Sequence, residues 1–246
     1  MKTLLYSASV VTLLTLAVSP ASATTYTGPG VADGTTADGD GISSVVVNNT
    51  ASTISFTINS TAPMASYIFY SVEIQYAGLG GSGYTGFSNP WGPAVGISTG
   101  ENALINTFGT GASALTYSGG TWTQNASGSY DAGGTGSTFA TMTFSLASLG
   151  LSVGSSFNFD VVSGYTSQPS GPQAAYGALD NTGYLPESDG LYQPYNGTSH
   201  YDSATSPGST FASTTFTVQA VPEPGTFALL GLGGLVLARR GLRRSA

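Results

Sequence analysis

Carboxylates are the plentiful reactive group in this 246-residue chain, which has twelve Asp and Glu, five Lys and Arg, one histidine and no cysteine. Two carboxylates can hydrolyse a glycoside when they stand about 5 to 9.5 Å apart across a sugar. Several on a loop can hold a hard cation such as calcium. Asp33, Asp38 and Asp40, in the stretch DGTTADGDG, are the candidate calcium ligands. Their spacing fails the EF-hand pattern, since position 36 is Thr and position 47 is Val, and Asp-Gly pairs also make ordinary turns. Asp180, Glu187 and Asp189 form a second acidic stretch open to the same two readings. For hydrolysis the acids offer many pairs and the sequence selects none, so no catalytic residue is named and the chain reads as a non-enzyme. His200, the only candidate base for a serine, lies in a Gly/Ser/Pro-rich stretch without a nucleophile elbow. The absence of cysteine excludes disulfides, thiolate catalysis and Cys-type zinc sites, and no glycine motif with a lysine is present to cradle a phosphate.

Aromatic residues supply a second kind of candidate site. Tyr84, Phe87 and Trp91 fall in the Gly-rich stretch from Gly78 to Pro93, and Tyr192, Tyr195 and Tyr201 in another loop-like stretch. Exposed rings stack on sugars while neighbours such as Asn89, Gln193 and Asn196 bond hydroxyls, which makes extracellular polysaccharide a partner to test. The alternative is that the rings pin long loops to the domain.

The charges are distributed unevenly. All five basic residues are at the ends, Lys2 at the front and Arg239, Arg240, Arg243 and Arg244 at the back. Between Thr24 and Ala220 there is no Lys or Arg, but every acid except Glu223 lies there, which leaves eleven of the twelve. Such a segment is a poor partner for nucleic acid or anionic lipid, whose phosphates need cationic groups. Divalent cations suit it better.

Both termini read as targeting segments. Lys2, the apolar run Leu4 to Val18 and the small residues Ala21-Ser22-Ala23 make a signal peptide over 1–23, with cleavage expected before Thr24. At the other end stand Val221, Pro222, Glu223 and Pro224, then an uncharged run from Thr226 to Ala238, then the four arginines. As a helix that run spans roughly 20 Å at 1.5 Å per residue, short of the ~30 Å hydrocarbon core, so snorkelling arginine stems and interfacial residues before it must complete the crossing. The arginines place this end in the cytoplasm and the rest of the chain outside. Pro222 and Pro224 disfavour helix, leaving 221–225 extended and open to a protease.

This tail resembles the PEP-CTERM sorting signal of bacterial exported proteins over Val221 to Ala246, about a tenth of the chain. The resemblance implies recognition at Pro222, Glu223 and Pro224 by an exosortase, a membrane-embedded transpeptidase-like enzyme, and a role at the cell surface in connection with extracellular polysaccharide. The expectation is an exported surface or matrix protein, anchored transiently in the inner membrane, with a structural or adhesive role. The alternatives are a carbohydrate-binding module and a secreted glycan hydrolase.

The remaining 24–220 segment is predicted to be all-β, a single jelly-roll-like β-sandwich. ASTISFTIN, 51–59, alternates Ile54, Phe56 and Ile58 against Thr53, Ser55 and Thr57. YIFYSVEIQY, 67–76, sets Ile68, Tyr70, Val72, Ile74 and Tyr76 against Ser71, Glu73 and Gln75. Gly119-Gly120 predicts a hairpin with Trp122 on its second strand, and further strands are expected at 139–146, 157–162 and 211–218. GSTFATMTFSL at 136–146 echoes GSTFASTTFTV at 208–218, either as equivalent strands or as convergence on a Thr-rich strand. Gly39–Asn49, Gly83–Gly100 and Ser145–Ser163 resemble uncharacterised exported β domains that precede this signal, which implies a sandwich and no activity.

Overall fold

A computed structural model gives the fold; it describes residues 23–28, 41–64, 68–79, 96–97, 100–108, 111–133, 136–165, 177–179, 210–211 and 213–221. The expected signal peptide, the helix at 226–238 and the basic tail 239–246 lie outside the described residues. Among the described residues no helix is long and apolar enough to cross a membrane.

Thirteen strands account for most of the described chain: β1 (Thr24–Thr27), β2 (Ile42–Asn49), β3 (Thr53–Ser60), β4 (Ile68–Gln75), β5 (Gly96–Ile97), β6 (Ala103–Phe108), β7 (Gly111–Ser118), β8 (Thr121–Asp131), β9 (Phe139–Ser145), β10 (Ser156–Tyr165), β11 (Gly177–Ala178), β12 (Thr210–Phe211) and β13 (Thr214–Thr217). Eleven of them form one sheet in the order β1-β2-β3-β9-β8-β7-β6-β4-β10-β11, with β13 also paired to β10. β5 and β12 pair separately and in parallel.

The all-β class is as expected, but the architecture is one continuous antiparallel sheet rather than the two separate sheets of a sandwich. Strand β8 makes the difference. Its first part pairs with β7 as far as Gly128, opposite Ala112, and its last three residues pair with β9, beginning with Ser129 opposite Thr143. A β-carbon at Gly128 would lie 2.5 Å from Cζ of Phe144, so glycine lets that ring settle on the backbone where β8 changes partner. The sheet curls until its ends meet, nearly closing a barrel. The Tyr26 hydroxyl on β1 donates to the Thr215 carbonyl on β13 at 2.7 Å, and the Tyr26 ring meets Phe159 edge-on with centroids 5.1 Å apart.

The alternating pattern sets the interior. Ile54, Phe56 and Ile58 of β3 are buried with Tyr70, Val72 and Ile74 of β4, Met142 and Phe144 of β9, and Phe157, Phe159 and Val161 of β10. Phe56 packs against Phe159 at 5.8 Å between centroids, and Phe157 against Phe216 at 5.7 Å. Each buried ring contributes about 1.5–3 kcal/mol by leaving water. The hairpin is also as predicted. Gly119 and Gly120 have φ of 60° and 86°, the two positive values that a type I′ turn requires, and Trp122 pairs with Tyr117 across β7 and β8.

The echoed segments occupy different places in the sheet. β9 is interior, between β3 and β8, whereas β13 hangs from β10. They still bury matching positions, Phe144 and Leu146 in one, Phe216 and Val218 in the other. After β13 the chain is clamped: Gln219 donates its N–H to Asn49 Oδ1 at 2.9 Å, and Asn49 Nδ2 donates to the Gln219 carbonyl at 2.9 Å.

Candidate functional site

Strand β4 carries two faces, as its alternation predicts, yet both are buried. One face belongs to the core. The other presents Ser71 and Glu73. The ladder places Asp160 of β10 opposite Glu73, and Asn106 of β6 opposite Ser71. Directly paired residues on neighbouring strands share a face, so these four polar side chains, all fully buried, lie together on the side of the sheet away from the aromatic core. Phe69, Leu104 and Val162 share their face by the same register and are equally buried.

A fifth polar residue, Glu101, arrives from the segment before β6. Gly100 precedes it with φ 74°, a left-handed value that favours glycine. Asn102 follows and uses every polar group it has. Its side-chain Oδ1 accepts from the Tyr76 N–H at 2.8 Å and its Nδ2 donates to the Tyr76 carbonyl at 2.7 Å. Its backbone N–H reaches the Ile74 carbonyl and its carbonyl takes the Tyr117 N–H, both at 2.9 Å. This locks the entrance of β6 to the exit of β4. Glu101 is thereby held, fully buried, within hydrogen-bonding reach of Glu73.

Among the described residues no N–H or O–H donor reaches any of the four carboxylate oxygens of Glu73 and Glu101. A bond between the two carboxyls therefore needs a proton on one of them. Burial raises the Glu73 carboxyl well above the ordinary carboxylate range, helped by the charge of Glu101, the hydrogen bond to it and the charge of Asp160. Burial also raises Glu101, to about 7, while the bond it accepts from Glu73 works the other way. A proton held between the two carboxyls thus joins them. Asp160 accepts the Val161 N–H through Oδ1 at 2.7 Å. Among the described residues Ser71 Oγ and both ends of the Asn106 amide have no hydrogen-bonding partner. Among the described residues no three Asp, Glu or His side chains are gathered as a metal-binding group.

The residues singled out from sequence are not among these. Asp33, Asp38 and Asp40, the rings Tyr84, Phe87, Trp91, Tyr192 and Tyr195, and His200 all lie outside the described residues, as do Pro222, Glu223, Pro224 and the four arginines; Val221 alone of the sorting motif is described, half-buried. Trp122 is half-buried, its ring 5.3 Å from that of Tyr117. Sequence reasoning left Glu73, Glu101 and Asp160 among eleven undistinguished acids. The available signal was their setting: Glu73 and Asp160 sit in the middle of strands, in FYSVEIQ and FNFDVVS, with apolar neighbours on both sides.

Residues 220–244 match the family model for the PEP-CTERM protein-sorting motif. The chain thus carries the C-terminal signal that its last residues resemble. No curated protein and no solved structure matches the chain.

Proposed function

We propose that this chain is an exported protein delivered to the cell surface through exosortase, and that its β domain has a structural or adhesive role in the extracellular polysaccharide layer, without catalysis of its own. The match of residues 220–244 to the sorting motif carries the reading. On this reading residues 1–23 direct export, 226–238 hold the chain in the inner membrane with the arginines inside, and exosortase acts near Pro222 to Pro224. Continuous pairing in a nearly closed sheet supports a structural role, since exposed strand edges invite association with other chains. Among the described acids, Glu73 and Glu101 stand within hydrogen-bonding reach of each other, closer than the about 5 to 9.5 Å at which a carboxyl pair admits a sugar.

The test is a Glu223→Ala chain expressed in the native host, followed by intact mass and surface fractionation of the product. Loss of C-terminal processing and retention in the inner membrane are expected. Processing and display identical to the parent chain would remove the motif from sorting.

A further inference from the structure

Three carboxylates, Glu73, Glu101 and Asp160, are fully buried near one another, and no Lys or Arg between Thr24 and Ala220 can neutralise them. Burying uncompensated charge is strongly disfavoured, so protons or a bound cation must offset it. One shared proton bonds the two glutamates but leaves their outward lone pairs unanswered, and it does nothing for Ser71 and Asn106. Those two residues are an independent sign. Both are completely buried, neither side chain has a hydrogen-bonding partner among the described residues, and the β4–β6 register seats them beside Glu73 on the same face.

Two carboxylates, an amide oxygen and a hydroxyl together offer up to six oxygens. That is the donor type and number a calcium ion takes, at about 2.3–2.6 Å. Magnesium prefers to keep several of its waters, which suits a fully buried site less well. Softer metals want imidazole or thiolate, and none is in this set.

We propose that Glu73 and Glu101, completed by Asn106 Oδ1 and Ser71 Oγ, form a buried calcium site in the β domain, with Asp160 as a neighbouring negative charge. Asn102 is its positioning residue, since its bonds to Tyr76 fix where Glu101 stands. The site is distinct from the Asp33, Asp38 and Asp40 stretch and does not depend on the sorting reading.

The experiment uses the full-length chain in detergent, stripped with chelator and titrated with calcium chloride at pH 7.5, reading bound calcium by mass spectrometry and Tm by calorimetry. Calcium is expected to raise Tm by about 5 °C or more at saturation. Glu73→Gln with Glu101→Gln should remove one ion per chain and that response, while Asp38→Asn with Asp40→Asn should keep both. Ser71→Ala, which deletes one neutral ligand and leaves the carboxyls alone, is expected to weaken binding at least threefold and stands as the deciding variant if the glutamine pair does not fold. The proposal is overturned if Tm ignores calcium, or if binding is unchanged in the foldable variants. A chain indifferent to calcium whose Tm rises at pH 7.5 on Glu73→Gln would show a pair held by a proton alone.

Discussion

Asn102 bonds Tyr76 at both of its backbone groups, at 2.8 and 2.7 Å, and so ties the end of β4 to the start of β6. Asn102→Ala is expected to lower stability by about 1–3 kcal/mol, because two backbone groups lose their partners in a place that water reaches only partly. Urea unfolding should show an earlier midpoint with an unchanged slope. A variant within ~0.5 kcal/mol of the parent would mean that water replaces the amide and the tie is dispensable.

The carboxyl pair gives a pH dependence of definite sign. Glu73 and Glu101 titrate higher in the folded chain than in the unfolded one, so the native state binds more protons, and stability falls as pH rises. In chelator the loss should begin near the unfolded carboxylate value and continue through about 7, where Glu101 titrates when folded. Urea midpoints from pH 4.5 to 8 test it; a midpoint that rises across this window would contradict the buried, proton-sharing pair. Glu73→Gln, which keeps a donor to Glu101, should flatten the curve.

Gly128 stands where β8 passes from β7 to β9, under the Phe144 ring. Gly128→Ala is expected to cost about 1–3 kcal/mol, because the ring is buried and must give way. Pairing with Phe144→Leu should recover part of that loss. Thermal unfolding of the double variant no better than that of Gly128→Ala would show that the ring is not the obstacle.

At the hairpin the penalty is conformational. Nothing lies within 4 Å of a β-carbon at Gly119 or Gly120, yet both have positive φ. Gly120→Val should therefore destabilise by about 1–2 kcal/mol, whereas Gly119→Asn should stay within ~0.5 kcal/mol, since asparagine tolerates the left-handed region. Equal effects for the two variants in calorimetry would count against a type I′ turn.

The strand pattern was legible because Ile54, Phe56 and Ile58 alternate with threonine and serine, and because Gly119-Gly120 can make few other things than a tight turn. The single-sheet architecture was not. It depends on β8 serving two partners in succession, and TWTQNASGSYD has no feature in its own residues that names either partner. The polar cluster was half legible. Alternation separated Ser71 and Glu73 from the core face of β4, but a period of two cannot tell a solvated face from a second buried one. The meeting of Glu73 with Glu101 and Asp160 depends on β4–β6 and β4–β10 register, a long-range property that no local stretch encodes.

The Asn49–Gln219 clamp lies between β13 and the chain's C-terminal signal. A domain held by its C-terminus takes every tug at that end. Because the clamp comes after β13, a pull on that end meets its two bonds first and then those of Val218 with Gly154 and Ser155, before it reaches the four-residue pairing of β13 with β10 or draws Phe216 from its place. In a cable this would be called strain relief: a pull on that end would be taken up before it worked the plug loose.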